Sequence, residues 1–296
     1  MTQNKIRRVL GLLMVLAALT VYLRLAFSQS DLKAEDQSLL RVSDGRLMPF
    51  AEVMGDITAV PLVFVGELHD EPSHHWAQLE VIRALKEAGR KVAVGMEMFR
   101  RDQQNDLDLW TRGEMTLHRF RNLYLETWGA PWPLYADIFH YARSEGIPLL
   151  GLNVPREIVT QVARHGFSSL SEDQLKSLPP LSCDVDDVYK EFIRRALGVR
   201  HKSGLDFQHF CEAQLVWDTA MAWNLLKFLE RNPDHTVVVL AGSGHSWKRA
   251  IPEQVRRRSD LAYRVILPEM PSLERGDVML DDSDFLWLDL PLRNES

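Results

Sequence analysis

The sequence is poor in cysteine, has no apolar run of membrane-spanning length, and carries no strong excess of either charge. Its 296 residues include only Cys183 and Cys211, which excludes a small scaffold held together by disulfides. The sequence leaves open whether these two thiols pair. The longest apolar stretch, Val9 to Leu23, is shorter than the roughly 20 residues a helix needs to cross a bilayer, so a polytopic membrane protein is excluded. A net charge of −6 offers no electrostatic footprint for nucleic acid. The local run Arg256-Arg257-Arg258 reads as a solvated helix end. No P-loop, no HExxH zinc helix and no GxSxG nucleophile elbow is present. Internal repeats and low-complexity segments are absent as well.

What is present is an ordinary globular composition, 46% hydrophobic and 26% charged. That is apolar enough to bury a core and rules out wholesale disorder. The N-terminus stands apart. Lys5, Arg7 and Arg8 precede the apolar run, and Ala26 and Ser28 follow it. A basic start, a short apolar core and small residues make a secretory signal, or an uncleaved signal anchor. The expected organisation is therefore a signal over 1–28 and a single exported domain over 29–296. The domain is periplasmic or held to the membrane by that N-terminal segment. No cysteine lies near residue 25 to carry a lipid.

Beyond the signal, apolar runs bounded by turn residues recur. Val60 to Val65 ends at Gly66, Lys91 to Met96 at Glu97, Ile147 to Leu152 at Asn153, and Thr236 to Ala241 at Gly242. Continuous apolar runs suit strands buried on both faces. Between them lie helical patterns. Asp70-Glu71-Pro72 opens a helix, Trp76, Leu79, Ile82 and Leu85 recur at helical spacing, and Gly89 stops it. A second helix runs through Trp217, Met221, Leu225 and Leu229. Tyr263–Leu267 and Phe285–Leu290 read as closing strands. This alternation predicts an α/β fold with a mostly parallel central sheet flanked by helices. Helical insertions, about 102–132 and 167–211, are expected over the carboxyl edge of the sheet.

Ligands of open α/β sheets sit beyond the carboxyl ends of the strands. The predicted strands deliver Glu67 and His69, then Glu97, then Asn153 with Arg156, then Gly242-Ser243-Gly244-His245. Each residue alone has an ordinary explanation. Glu67 suits a helix N-terminus, Glu97 has Arg100 and Arg101 nearby, and His74 and His75 suit a solvated helix face. Two carboxylates and two imidazoles in one crevice are different, because they perturb one another. Such a set can hold a divalent metal through N and O ligands, or run acid–base chemistry.

The ordered motifs resemble a known family. Val65-Gly66-Glu67-Leu68-His69-Asp70 with His74, His75 and Gln78 is similar to the opening motif of the ChaN-like haem-binding uptake proteins of the Tiki superfamily. Met96-Glu97-Met98-Phe99, Leu152 to Glu157, Ala213 to Asp218 with Met221-Ala222, and Ala241 to His245 are similar to the later ones. The resemblance covers roughly residues 45 to 290. It implies an α/β domain and a role in haem or iron uptake or handling. It also implies haem held through a tyrosine with histidine help, at the interface of a homodimer. Tyr135 is the matching tyrosine and Tyr124 its rival; tyrosinate is a known ferric ligand. His69, His245, Asn153 and Arg156 complete the expected haem-binding set. The superfamily also contains hydrolases, including erythromycin esterases, to which Glu67, His69, Glu97 and His245 are similar as a catalytic or metal-binding quartet. Two expectations therefore stand side by side, a haem-binding protein outside the cytoplasm and a Glu/His-dependent hydrolase.

Overall fold

In the computed structural model, which describes residues 37–181, 183, 185–197 and 206–288, the apolar runs form the centre of one eight-stranded sheet. The predicted signal segment and the final residues lie outside the described residues. The strands are β1 (Ser38–Arg41), β2 (Arg46–Pro49), β3 (Leu62–Glu67), β4 (Lys91–Arg100), β5 (Leu149–Asn153), β6 (His235–Gly242), β7 (Tyr263–Pro268) and β8 (Phe285–Trp287). Their order across the sheet is β2-β1-β8-β7-β3-β6-β4-β5. From β8 to β5 every pairing is parallel, and β1 runs antiparallel to both β2 and β8. The α/β expectation is met. The sequence reading missed β1 and β2, each only four residues long.

Side chains of a strand alternate between faces, so each central strand feeds two cores. Val63 and Val65 of β3 and Val94 and Met96 of β4 enter one core; Leu62, Phe64 and Ala93 enter the other. The first core is roofed by α1 (Phe50–Thr58), α2 (Pro72–Glu87), α3 (Gln104–Thr111), α4 (Leu117–Thr127) and α5 (Trp132–Ser144). Its aromatics interlock: Trp110 stacks on Phe120 at 4.2 Å, and Trp132 on Phe139 at 5.3 Å. Full burial of side chains of this size contributes about 1.5–3 kcal/mol each, so the aromatic insertion around residues 110–135 is chiefly core. The opposite core is roofed by α8 (Asp187–Leu197), α9 (Phe207–Arg231), α10 (Ser243–Ser246) and α11 (Ile251–Arg256). Against α9 pack α6 (Arg156–His165) and residues around α7 (Glu172–Ser177).

Local signals place the helices. Pro72 occupies the first turn of α2, and the capping acid is Glu71, its carboxylate accepting the Ser73 N–H at 3.4 Å. Beyond α2, Gly89 takes a φ of 78°. The edge strand β5 is closed by side chains rather than by another strand. The Gln104 amide donates to the Leu149 carbonyl (2.8 Å) and accepts from the Gly151 N–H (3.1 Å), and Asn224 donates to the Leu152 carbonyl (2.7 Å). Satisfying an edge in this way blocks strand addition. Cys183 and Cys211 stand as separate thiols.

Candidate functional site

The site is built in two halves, one on each face of the sheet, that meet at the carboxyl rim. Glu67 ends β3 on the side of α2 and α5 and is 1% exposed. A buried carboxylate needs partners for every lone pair, and Glu67 has them. One oxygen accepts from the Tyr135 hydroxyl and from His69 Nδ1 at 2.7 Å. The other accepts from Gln78 Nε2 at 2.7 Å and faces His75 Nδ1 at 3.2 Å. Gln78 also donates to the Val65 carbonyl, and His75 Nε2 lies 3.2 Å from the His69 carbonyl. Burial alone would raise the Glu67 pKa; the donors of His69, His75 and Tyr135 outweigh it and hold the carboxyl at about 2. Burial likewise opposes the charges on His69 and His75, and the carboxylate again prevails, so both are raised.

His74 and His75 were expected on a solvated face. They are buried, because α2 docks here to serve the turn. His74 Nδ1 accepts the Leu68 N–H at 2.9 Å, and burial lowers this imidazole to about 4, keeping it neutral.

Glu97 lies on β4 with the opposite parity, facing α9. It does not pair with Arg100, which binds Asp102. One carboxylate oxygen accepts the Gly242 N–H at 2.7 Å, and the other faces His245 Nε2 at 3.7 Å. Asn153 clamps the Glu97 carbonyl at 2.8 Å and accepts the Val154 N–H. His245 Nδ1 meets Asp218 of α9 at 2.6 Å, and a carboxylate can only accept, so this nitrogen carries a proton. Tyr189 donates to the other Asp218 oxygen at 3.3 Å. Burial depresses His245, but Glu97 and Asp218 win and raise it to about 9. Burial raises Asp218 despite that imidazolium.

Gly242 joins the halves. A Cβ there would stand 2.9 Å from His69 Cε1 and 3.6 Å from the Glu97 carboxylate, so only glycine lets the His69 ring lie over the end of β6. The His69 side chain is 45% exposed, and its ring meets the edge of Trp128 at 5.0 Å. Trp217 mirrors this contact on His245 at 4.8 Å.

The structure thus brings Glu67, His69, Glu97, His245 and Asn153 to one rim. Tyr135 joins them from below, fully buried, with its phenol raised by burial and by Glu67. Tyr124 is buried too and donates to the Ala130 carbonyl. Arg156 opens α6 as an exposed residue with no polar partner among the described residues. Among the described residues, no three His, Cys, Asp or Glu side chains converge to hold an ion. The lone pairs of Glu67 are filled, and Glu97 approaches from the other face.

The sequence motifs running through these residues match a family described as "Haem-binding uptake, Tiki superfamily, ChaN" over residues 53–255. The chain belongs to this family. Among solved structures, the fold of this ChaN-family chain is similar to "Cofacial heme binding to ChaN of Campylobacter jejuni", with a TM-score of 0.67 at 20% identity, over 85% of this chain and 96% of that one. A likeness to an erythromycin esterase, EreC, in its open conformation has a TM-score of 0.47 at 16% identity, over 79% of this chain and 76% of that one. A curated relative, Protein RETICULATA-RELATED 5, chloroplastic, of Arabidopsis thaliana, is 25% identical over 249 residues. The match takes in 76% of the chain but only 34% of that relative's length.

Asp218 and Tyr189 were not picked out as site residues. Asp218 had a signal, an acid inside the apolar stretch Leu215 to Met221. Gln78 and His75 had one also, as polar residues on the stripe that continues into Ile82 and Leu85.

Proposed function

We propose that this ChaN-family protein binds haem at the crevice mouth, over His69, and serves haem or iron handling outside the cytoplasm. The observation that carries the reading is His69 itself, a half-exposed imidazole whose Nδ1 is held by the buried, ionised Glu67. A ligand histidine oriented by a carboxylate on its other nitrogen is a more basic and better-fixed donor. The residues present fit haem. Leu68 is 40% exposed beside His69, Leu125 is 49% exposed one helical turn before Trp128, and Trp128 lies against the imidazole. The indole of Trp128 offers an apolar wall beside His69 for a porphyrin face. Bound there, the iron would supply the Lewis-acidic centre that a histidine can ligate. The Tyr135 oxygen, the tyrosinate suggested by the resemblance, is committed to Glu67, so here it orients the carboxylate that orients His69. The basic and apolar N-terminus supports export, which cell fractionation tests.

Hemin titration of the purified protein is expected to give a saturable Soret band. His69→Ala should weaken binding by more than about 100-fold, beyond the loss of an outer-shell partner alone. Tyr135→Phe should cost about tenfold and leave the ligand spectrum unchanged. No saturable band in the wild type would sink the proposal. Tyrosinate charge-transfer features lost in Tyr135→Phe would move the ligand to Tyr135.

A second reading rests on one specific observation, the buried His245 held between Asp218 and Glu97. An imidazolium oriented by one carboxylate and facing another is an acid–base pair. In this reading Glu97 draws a proton from water while His245 donates to a leaving oxygen. Hydrolysis of p-nitrophenyl butyrate would then fall at least about 100-fold in Glu97→Gln. Equal rates in variant and wild type would exclude Glu97 as the base.

A further inference from the structure

Two clefts lie along the β5 edge, apart from the His69 mouth. One, of about 360 Å³, runs between α3, β5 and the end of α9; Arg101, Lys227 and Arg231 line it with Pro148 and Phe228, and Asp108 is its one acid. The other, of about 430 Å³, has walls of Val154, Pro155, Leu178, Pro179, Pro180 and Trp223. The clefts meet at Arg101 and Asn224, which line both. Lys227 bridges them from above, its ammonium 4.8 Å from the Trp223 ring centre.

The charges in the first cleft are unevenly satisfied. Lys227 pairs with Glu230, and Asp108 accepts from Gln104. Arg101 and Arg231 have no polar partner among the described residues, whereas twelve of the 21 described arginines hold a carboxylate. The amides of Gln104 and Asn224 are fixed on the β5 backbone, as described above, which makes the floor rigid. An unpaired guanidinium recognises carboxylate or phosphate through a planar fork of donors. The neighbouring cleft offers prolines and an indole, surfaces that take an apolar body.

We infer that this trough is a binding site for a small amphiphilic anion, its carboxylate head between Arg101 and Arg231 and its apolar tail against Pro179, Pro180 and Trp223. The site is independent of haem binding at His69 and stands or falls on its own test. The tail end reaches Asn153, which clamps Glu97, so an occupant lies one strand away from the crevice.

The test is calorimetric titration of the full chain with octanoate, and with 1-octanol as the uncharged tail. Octanoate is expected to bind saturably and 1-octanol at least about tenfold more weakly, the margin of one charge-assisted contact. In the double variant Arg101→Gln/Arg231→Gln, octanoate affinity should fall at least about tenfold. Arg121→Gln, an exposed arginine on α4, should leave it unchanged. Both sites of substitution are exposed, and circular dichroism of each variant checks that it folds. No saturable octanoate binding overturns the inference. So does equal binding of octanoate and octanol, or octanoate binding that survives the double substitution.

Discussion

Replacing Glu67 by alanine is expected to destabilise the protein by about 4 kcal/mol, the range for breaking a buried charged network by removing one partner. The cost arises from what is left behind. Tyr135, Gln78 and His75 would each keep a buried donor aimed at an empty site, and such orphans cost about 1–3 kcal/mol apiece. The substitution also changes the response to pH. The folded carboxyl stands at about 2 against an ordinary 4.5. Its stabilisation is therefore fully present above pH 4.5 and lost as pH falls towards 2. At about 1.4 kcal/mol per unit, this is roughly 3 kcal/mol of acid sensitivity. Glu67→Ala should lack that acid limb. On the alkaline side His245, raised from 6.5 to about 9, contributes fully below pH 6.5 and is lost as pH rises through 9. That loss should remain in the variant. Urea unfolding from pH 2 to 10 reads both limbs. A Glu67→Ala loss below about 1 kcal/mol, or an unchanged acid limb, would show that Glu67 does not organise the rim.

How much of this was legible in the sequence follows from where each residue sits. Strands β3, β4, β5 and β6 announced themselves because both of their faces are buried, which leaves an unbroken apolar run between polar punctuation. Strands β1 and β2 did not. Four residues of mixed pattern, such as Arg46-Leu47-Met48-Pro49 with only Met48 buried, give no period to count. The same contrast governs the site. Glu67, His69, Glu97 and His245 were visible as polar residues at the ends of apolar strands. Their partners lie inside helices, where the local pattern gives a weaker signal. His75 and Gln78 lie on a helix whose opening already read as solvated, and Asp218 sits mid-helix in α9, where a lone acid has bland explanations. Pairing Asp218 with His245 spans 27 residues of sequence and depends on how α9 crosses the sheet, which no local pattern encodes. Tyr135 illustrates the opposite case. The resemblance drew attention to it as a haem ligand, while its packing at 4.2 Å against the His75 ring turns its hydroxyl inward to Glu67.

Gly151→Ala should be the most damaging single-methyl addition in the sheet, costing about 3 kcal/mol, at the upper end of ordinary overpacking. At Gly151 of β5, a Cβ would stand 2.2 Å from the Arg100 carbonyl oxygen and 2.8 Å from its carbon. Both are backbone atoms of β4, where the register against β5 shifts between Met96 and Arg100, so no side chain can swing aside. The comparison at Gly95 makes the point. There an added Cβ meets Leu152 Cδ1 at 2.9 Å, the far end of a side chain, and Gly95→Ala should cost well under half as much. The consequences of Gly151→Ala reach the site by two routes. Pushing β4 and β5 apart moves Asn153 from the Glu97 carbonyl, and it shifts Arg101, which lines both clefts. The variant should therefore lose octanoate affinity and loosen Glu97 together, while Gly95→Ala leaves both intact. Equilibrium unfolding beside the octanoate titration checks this. Equal stability of the two alanine variants would mean that the close approach of β4 to β5 does not constrain residue 151.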